Sequence, residues 1–208
     1  VDISGLIYKV PFILIAITIH EFAHARAARS FGDFSATLLG RATLNPLKHL
    51  DPFGTLCLLL FNFGWAKPVP INPSNFSHRR LGLFSVSLAG PLSNLLLAFL
   101  LGQIIQWGVP FPLWIFKILF YGMLINIGLG LFNLIPLPPL DGFHVVESFF
   151  ERSRLIQWLN SIGPLLLISI ILLDNFAQTG IISTLLVKPM HKLMILFGGK
   201  AIFAPLFR

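Results

Sequence analysis

Long stretches of this chain contain no Asp, Glu, Lys or Arg, among them residues 10–19, 52–66, 81–116, 118–140 and 155–173. Three of them (81–116, 118–140 and 155–173) reach or approach the roughly 20 residues that cross a bilayer as helix. Charged residues make up 11 % of the chain, against about 25 % in a soluble domain. That is too little charge to coat a water-facing surface. A soluble domain, a disordered tail and a disulfide scaffold are therefore excluded, and Cys57 is the one cysteine. Regular alternation in ten-residue blocks is absent, which argues against an outer-membrane barrel. What remains is an all-α polytopic bundle of about four to six transmembrane helices.

The net charge of +7 fits this reading. The basic residues flank the apolar runs and orient them, so no nucleic-acid partner is implied. Placing the C-terminal end of the first helix in the cytoplasm puts Arg26, Arg29, Arg41, Lys48, Lys67, Arg79, Arg80, Arg152 and Arg154 on that side. Lys9 and Lys117 then fall near the outer helix ends, where they can snorkel. The start of the chain lacks the basic region and small-residue site of a cleavable signal peptide.

A first helix is expected over residues 3–30, and further spans over 81–107, 113–132 and 155–173. Turn signals fill residues 34–80: Gly40, Asn45-Pro46, Asp51-Pro52, Lys67-Pro68 and Asn72-Pro73. The apolar stretch 53–65 is too short for a full span and suits a re-entrant or interfacial element. Residues 36–44 and 66–71 read as short extended pieces, a small membrane-associated β segment. The uncharged turn 108–112 joins two spans. Residues 144–153 form a short charged helix, and 180–187 and 193–197 form another span or lie at the interface. The chain is read as one domain, 1–208, with a core over 3–150 and additional helices over 154–208.

His20 and His24 stand at i and i+4, on one face of the first helix. Two imidazoles so placed can share a divalent metal, and Glu21 beside them stands where a general base for activated water belongs. The plainer alternative is that the three open a polar cytoplasmic loop beside Arg26 and Arg29. A catalytic metal needs a third ligand, and Asp2, Asp33, Asp51, Asp141, Glu147, Glu151 and Asp174 are available. Asp141 stands out because it follows a long charge-free run broken by Pro136, Pro138 and Pro139. Irregular backbone at membrane depth belongs where it lines a cavity or packs in protein. Gly142 lets another segment approach closely. Asp141 as a simple helix cap is the competing reading.

Three motifs in this order resemble the site-2 protease family (peptidase family M50) of intramembrane zinc metalloproteases. They are His20-Glu21-Phe22-Ala23-His24, Ala89-Gly90-Pro91-Leu92-Ser93-Asn94, and Asn133 through Gly142. The stretch from Gly64 to Pro73 resembles the compact bacterial subgroup without PDZ or CBS domains. The resemblance covers about residues 10–150. It implies one zinc ion per chain on His20, His24 and Asp141, with Glu21 as the catalytic residue. It also implies that Asn133 serves the reacting carbonyl and its oxyanion. Asn94 is placed as a support of the site or of the substrate strand, with inter-helix hydrogen bonding as the equal alternative. Part of 36–72 is expected beside the site, receiving an unwound substrate by strand addition.

The implied activity is hydrolysis of peptide bonds within or near transmembrane segments, in a multi-pass cell-membrane protein with its site toward the cytoplasm. Its partners would be the lipid bilayer and a transmembrane substrate. An inactive or transport-type metal-binding membrane protein is the alternative. Among the other conspicuous residues, His49, His78 and His191 are expected in solvent, and His144 on a helix surface or behind Asp141. Trp65, Trp107, Trp114 and Trp158 are expected as interface anchors, and Gly122, Gly128 and Gly130 as sites of close helix packing.

Overall fold

The computed structural model describes residues 3–61, 65–107, 111–150, 153–200 and 202. Asp2, Gly64, residues 108–110, Glu151 and Arg152, which enter the expectations above, lie outside the described residues. The elements are α1 (Ile3–Ser30), α2 (Ser35–Leu38), α3 (Pro52–Phe61), α4 (Arg79–Gln106), α5 (Leu113–Asn133), α6 (Asp141–Phe150), α7 (Arg154–Ala177) and α8 (Lys188–Gly198). Single 3₁₀ turns at Pro46–Lys48 and Pro73–Asn75 punctuate the loops, and a π turn, Ser183–Val187, leads into α8. Among the described residues, four helical stretches are long and apolar enough to cross a bilayer: Lys9–Ser30, Arg79–Gln106, Leu113–Asn133 and Arg154–Asp174. The protein is an all-α, multi-pass membrane protein.

Helix α4 is the central post, packed against α1, α5, α6 and α8. Its sequence explains why. Gly82, Val86, Gly90, Asn94, Ala98 and Gly102 recur every fourth residue and are all buried. Such a narrow, mostly small-sided stripe lets neighbouring backbones approach closely where no water drives association. A Cβ at Gly102 would stand 2.6 Å from the Phe197 carbonyl of α8. On α5, a Cβ at Gly122 would stand 2.7 Å from the Phe12 ring, and one at Gly130 3.1 Å from the Pro91 carbonyl. Gly128 differs, with only the Met190 sulfur within reach, at 3.7 Å. The apolar core between α4, α5 and α8 contains Ala98, Phe116, Phe120, Met123, Ile127 and Met194.

Two local expectations change. Residues 36–38 are helical rather than extended. The Asp33 carboxylate accepts from the Ser35 N–H at 3.1 Å and opens this turn. Gly40, at φ +64°, closes it, with Arg41 N–H donating to the Ala36 carbonyl at 2.8 Å. Residues 66–71 form no ladder: among the described residues there is one antiparallel bridge, Leu50 to Ala66, and no strand. Pro68 and Pro70 have no N–H to donate, which stops pairing one step beyond the bridge. Helix α3 is ten residues, about 15 Å, roughly half the hydrocarbon thickness of a bilayer.

Candidate active site

His20 and His24 lie in the C-terminal half of α1, one turn apart and both buried. Asp141 is the first residue of α6. The broken segment after α5 carries it there, and Gly142 makes the fit possible. A Cβ at Gly142 would lie 2.3 Å from the Leu134 carbonyl and 2.7 Å from that of Ile135. The result is a triangle. His20 Nε2 lies 3.0 Å from Asp141 Oδ2, His24 Nε2 lies 3.3 Å from it, and the two Nε2 atoms are 3.0 Å apart.

The remaining hydrogen bonds fix what those atoms are. His24 Nδ1 lies 2.7 Å from the Val86 carbonyl, which can only accept, so this nitrogen carries the proton. Pro91 has no N–H for the Ser87 carbonyl, so the hydrogen-bond ladder of α4 is broken one residue from Val86. His20 Nδ1 lies 2.7 Å from Asn94 Oδ1. The Asn94 amide cannot be turned round, because its Nδ2 donates to the Ala16 carbonyl at 3.0 Å and to Asn126 Oδ1 at 2.9 Å. Asn126 is fixed in turn by donating to the Gly122 carbonyl at 2.8 Å. Both imidazoles are thereby donors at Nδ1, with their Nε2 atoms aimed at one point. Two such nitrogens and a carboxylate oxygen repel at these distances unless a cation holds them. A proton satisfies one edge of the triangle, and a divalent ion satisfies all three.

The donor set fits zinc. Two imidazole nitrogens and one carboxylate oxygen lie within 4.8 Å of one another. Ligands about 2.0–2.2 Å from a tetrahedral ion lie about 3.3–3.6 Å apart. Gly90 leaves the room: a Cβ there would stand 2.4 Å from His24 Nε2 and 2.7 Å from His20 Nε2. Burial raises the pKa of the Asp141 carboxyl, but hydrogen bonds and charge from His20 and His24 outweigh it and hold the group well below the usual carboxylate range. It is an anion, as a ligand must be.

The triangle opens on a cavity of about 770 Å³. Glu21, Asn133, His144 and Glu147 line it, with Trp65 and Val69 on one wall and Leu167, Ile168 and Ile171 of α7 on another. Glu21 Oε2 accepts from the Val69 N–H at 2.7 Å. Asn133 donates to the Leu129 carbonyl at 3.0 Å, folded back on its own helix. Asn94 is not on this cavity. It is fully buried behind His20, where it bonds α4 to α1 and α5 and anchors the imidazole at once.

Among the described residues, the other candidate acids are not part of the triangle. Asp33 binds Ser35, Asn72 and Asn75, Asp51 caps α3 through the Gly54 N–H, Glu147 pairs with His144 at 2.8 Å, and Asp174 accepts from Thr179 and Ile181. His78 and His191 are exposed as expected. His49 is not. It is fully buried, with Nε2 2.8 Å from the Thr43 carbonyl, because the 43–51 loop folds over it. Arg41 is also buried, donating to the carbonyls of Lys67 and Pro68. Trp65 faces the cavity as well as solvent. Strand addition is restricted along 68–70, because two of the three residues are prolines and the third N–H is already engaged by Glu21.

Sequence reasoning missed Asn126, the Val86 carbonyl and the Val69 amide. Asn126 was signalled: a lone amide in a charge-free span is costly unless partnered. A backbone group has no side-chain signature, although Val69 between two prolines was a hint.

Among the described residues, four helices long enough to span a bilayer accompany two buried histidines and a half-buried aspartate beside a carboxylate, a donor set that a divalent metal fits. Comparison with known proteins agrees. The family model described as peptidase family M50 matches residues 103–172. The chain is 41 % identical over 174 residues to a Bacillus subtilis protein named "Putative zinc metalloprotease YwhC", covering 74 % of this chain and 76 % of that one. Rip2 of Mycolicibacterium smegmatis, named in the same way, is 35 % identical over 70 % of this chain and 60 % of its own length. MJ0611 of Methanocaldococcus jannaschii, again so named, is 29 % identical over 70 % of this chain and 73 % of its own. No solved structure matches. The chain belongs to peptidase family M50, the site-2 proteases, and is a protease embedded in a lipid bilayer.

Proposed function

We propose that this chain is a zinc-dependent intramembrane endopeptidase that cleaves transmembrane segments of other proteins. One observation carries the reading: His20 Nε2, His24 Nε2 and Asp141 Oδ2 converge at the wall of a cavity lined by helices and the 65–73 loop, with Glu21 beside them. His20, His24 and Asp141 would hold one zinc ion. Zinc bound there supplies Lewis acidity toward water and the scissile carbonyl.

The chain's own groups do the rest. Glu21 takes a proton from the attacking water and delivers it to the leaving amine. Its Oε2 is held by the Val69 N–H, so Oε1 is the oxygen available for transfer. Asn133 gives one Nδ2–H to the Leu129 carbonyl, and its second N–H is the donor for the developing oxyanion at the cavity wall. A substrate helix must unwind locally, because helical hydrogen bonds keep its carbonyls from attack. Basic residues at the α1, α4 and α7 ends support a cytoplasmic position for this face of the bundle, with water entering from that side.

The test is zinc content of the purified full chain. His20→Ala and Asp141→Asn lose the ion, and Glu21→Gln retains about one per chain. Zinc retained by Asp141→Asn at wild-type affinity would remove Asp141 from the ligand set.

A further inference from the structure

The stretch from Ala66 to Asn72 lines the cavity with Ala66, Pro68, Val69 and Ile71 without belonging to any helix or strand. It is nevertheless held along its length. Lys67 N–H donates to the His49 carbonyl at 2.9 Å. Arg41 Nη2 donates to the carbonyls of Lys67 at 2.8 Å and Pro68 at 3.2 Å. Val69 N–H donates to Glu21 Oε2 at 2.7 Å, and Asn72 N–H to Asp33 Oδ2 at 2.8 Å. Arg41, Asp33 and Val69 are all buried.

The sequence makes the central contact singular. Pro68 and Pro70 have no N–H, so Val69 carries the one backbone donor of residues 68–70, and that donor is on Glu21. The flanking prolines also fix φ near −65°, which limits how far the Val69 amide can turn. A carboxylate on a helix has several rotamers open to it, and a rigid donor at 2.7 Å selects one.

We propose that Ala66–Asn72 is the positioning strap of Glu21. The Val69 N–H fixes the carboxylate rotamer, and Arg41 and Asp33 peg the strap on either side. This rests on the reading of Glu21 as general base. Val69 is a positioning residue, acting through Glu21. Because the same strap forms a cavity wall with Trp65, substrate pressing on it is felt at the base.

Two measurements on the full chain in lipid nanodiscs test this. The first is hydrogen exchange resolved to residues 68–70, which report the Val69 amide alone. Glu21→Ala accelerates it about tenfold or more, whereas Glu21→Gln, whose amide oxygen still accepts, keeps it protected. Unchanged exchange in Glu21→Ala overturns the proposal. The second compares Val69→Pro, which lacks the N–H, with Val69→Ala, which keeps it. In Val69→Pro kcat on a model transmembrane substrate is lower by about 10–100-fold, with KM within about threefold and zinc content equal. Equal or faster cleavage by Val69→Pro overturns it. Wild-type cleavage by Glu21→Gln would instead overturn the base assignment, with the exchange result still reporting on the strap.

Discussion

Gly90 shows how much one missing methyl group decides. It sits in the middle of α4, where glycine costs about 1 kcal/mol relative to alanine. That cost is tolerated because a Cβ would project to within 2.4 Å of His24 Nε2 and 2.7 Å of His20 Nε2. Gly90→Ala therefore separates fold from site. The helix gains propensity, while zinc affinity falls by about 10–100-fold, the range seen when ligand orientation is disturbed. Circular dichroism and metal titration of the same preparation check this, and undiminished affinity would show that the ligand side chains move aside freely. Asn94 works from behind. Its amide has both donors engaged and its oxygen on His20, so it orients the imidazole with no spare donor.

Elements without regular structure do as much here as the helices. The α1–α2 turn and the 72–75 loop meet at Asp33, whose carboxylate accepts from Ser35, Asn72 and Asn75. Burial raises the pKa of this carboxyl, but the hydrogen bonds prevail and leave it below its ordinary value. A group whose folded pKa is depressed contributes stability that is complete above its unfolded pKa of about 3.9 and is lost as pH falls through the folded value. The thermal midpoint is thus expected to fall with pH below about 4. Asp33→Asn should lower the midpoint at neutral pH and remove that part of the acid dependence. Parallel acid profiles for the two proteins would contradict it.

The same loops mark the limit of what could be read from sequence. The long spans and the pairing of His20, His24 and Asp141 as candidate ligands were legible, because charge-free runs and helical spacing are one-dimensional signals. The 36–72 region was not. Asp33 turned residues 35–38 into helix, and His49 and Arg41 were buried by chain that folds over them. Those outcomes depend on contacts between segments tens of residues apart. The partners of Glu21 and His24 are backbone groups, which no residue type announces.

For the whole molecule, the scarcity of charge noted in the sequence takes a spatial form. Apolar helices surround a polar point, and α4 gathers α1, α5 and α6 so that the ends of separate runs meet there. Helix α7 closes one wall of the cavity through Leu167, Ile168 and Ile171. It touches the broken segment where a Cβ at Gly163 would lie 2.5 Å from Pro138. The central claim is that this arrangement hydrolyses a peptide bond inside the bilayer with Glu21 as the base. The most direct measurement compares wild type and Glu21→Gln, both zinc-loaded in proteoliposomes, on a single model transmembrane segment. Wild type should cut within the segment, and Glu21→Gln should keep its zinc while losing activity by about 10²–10⁴-fold. Cleavage by Glu21→Gln at the wild-type rate would contradict the account.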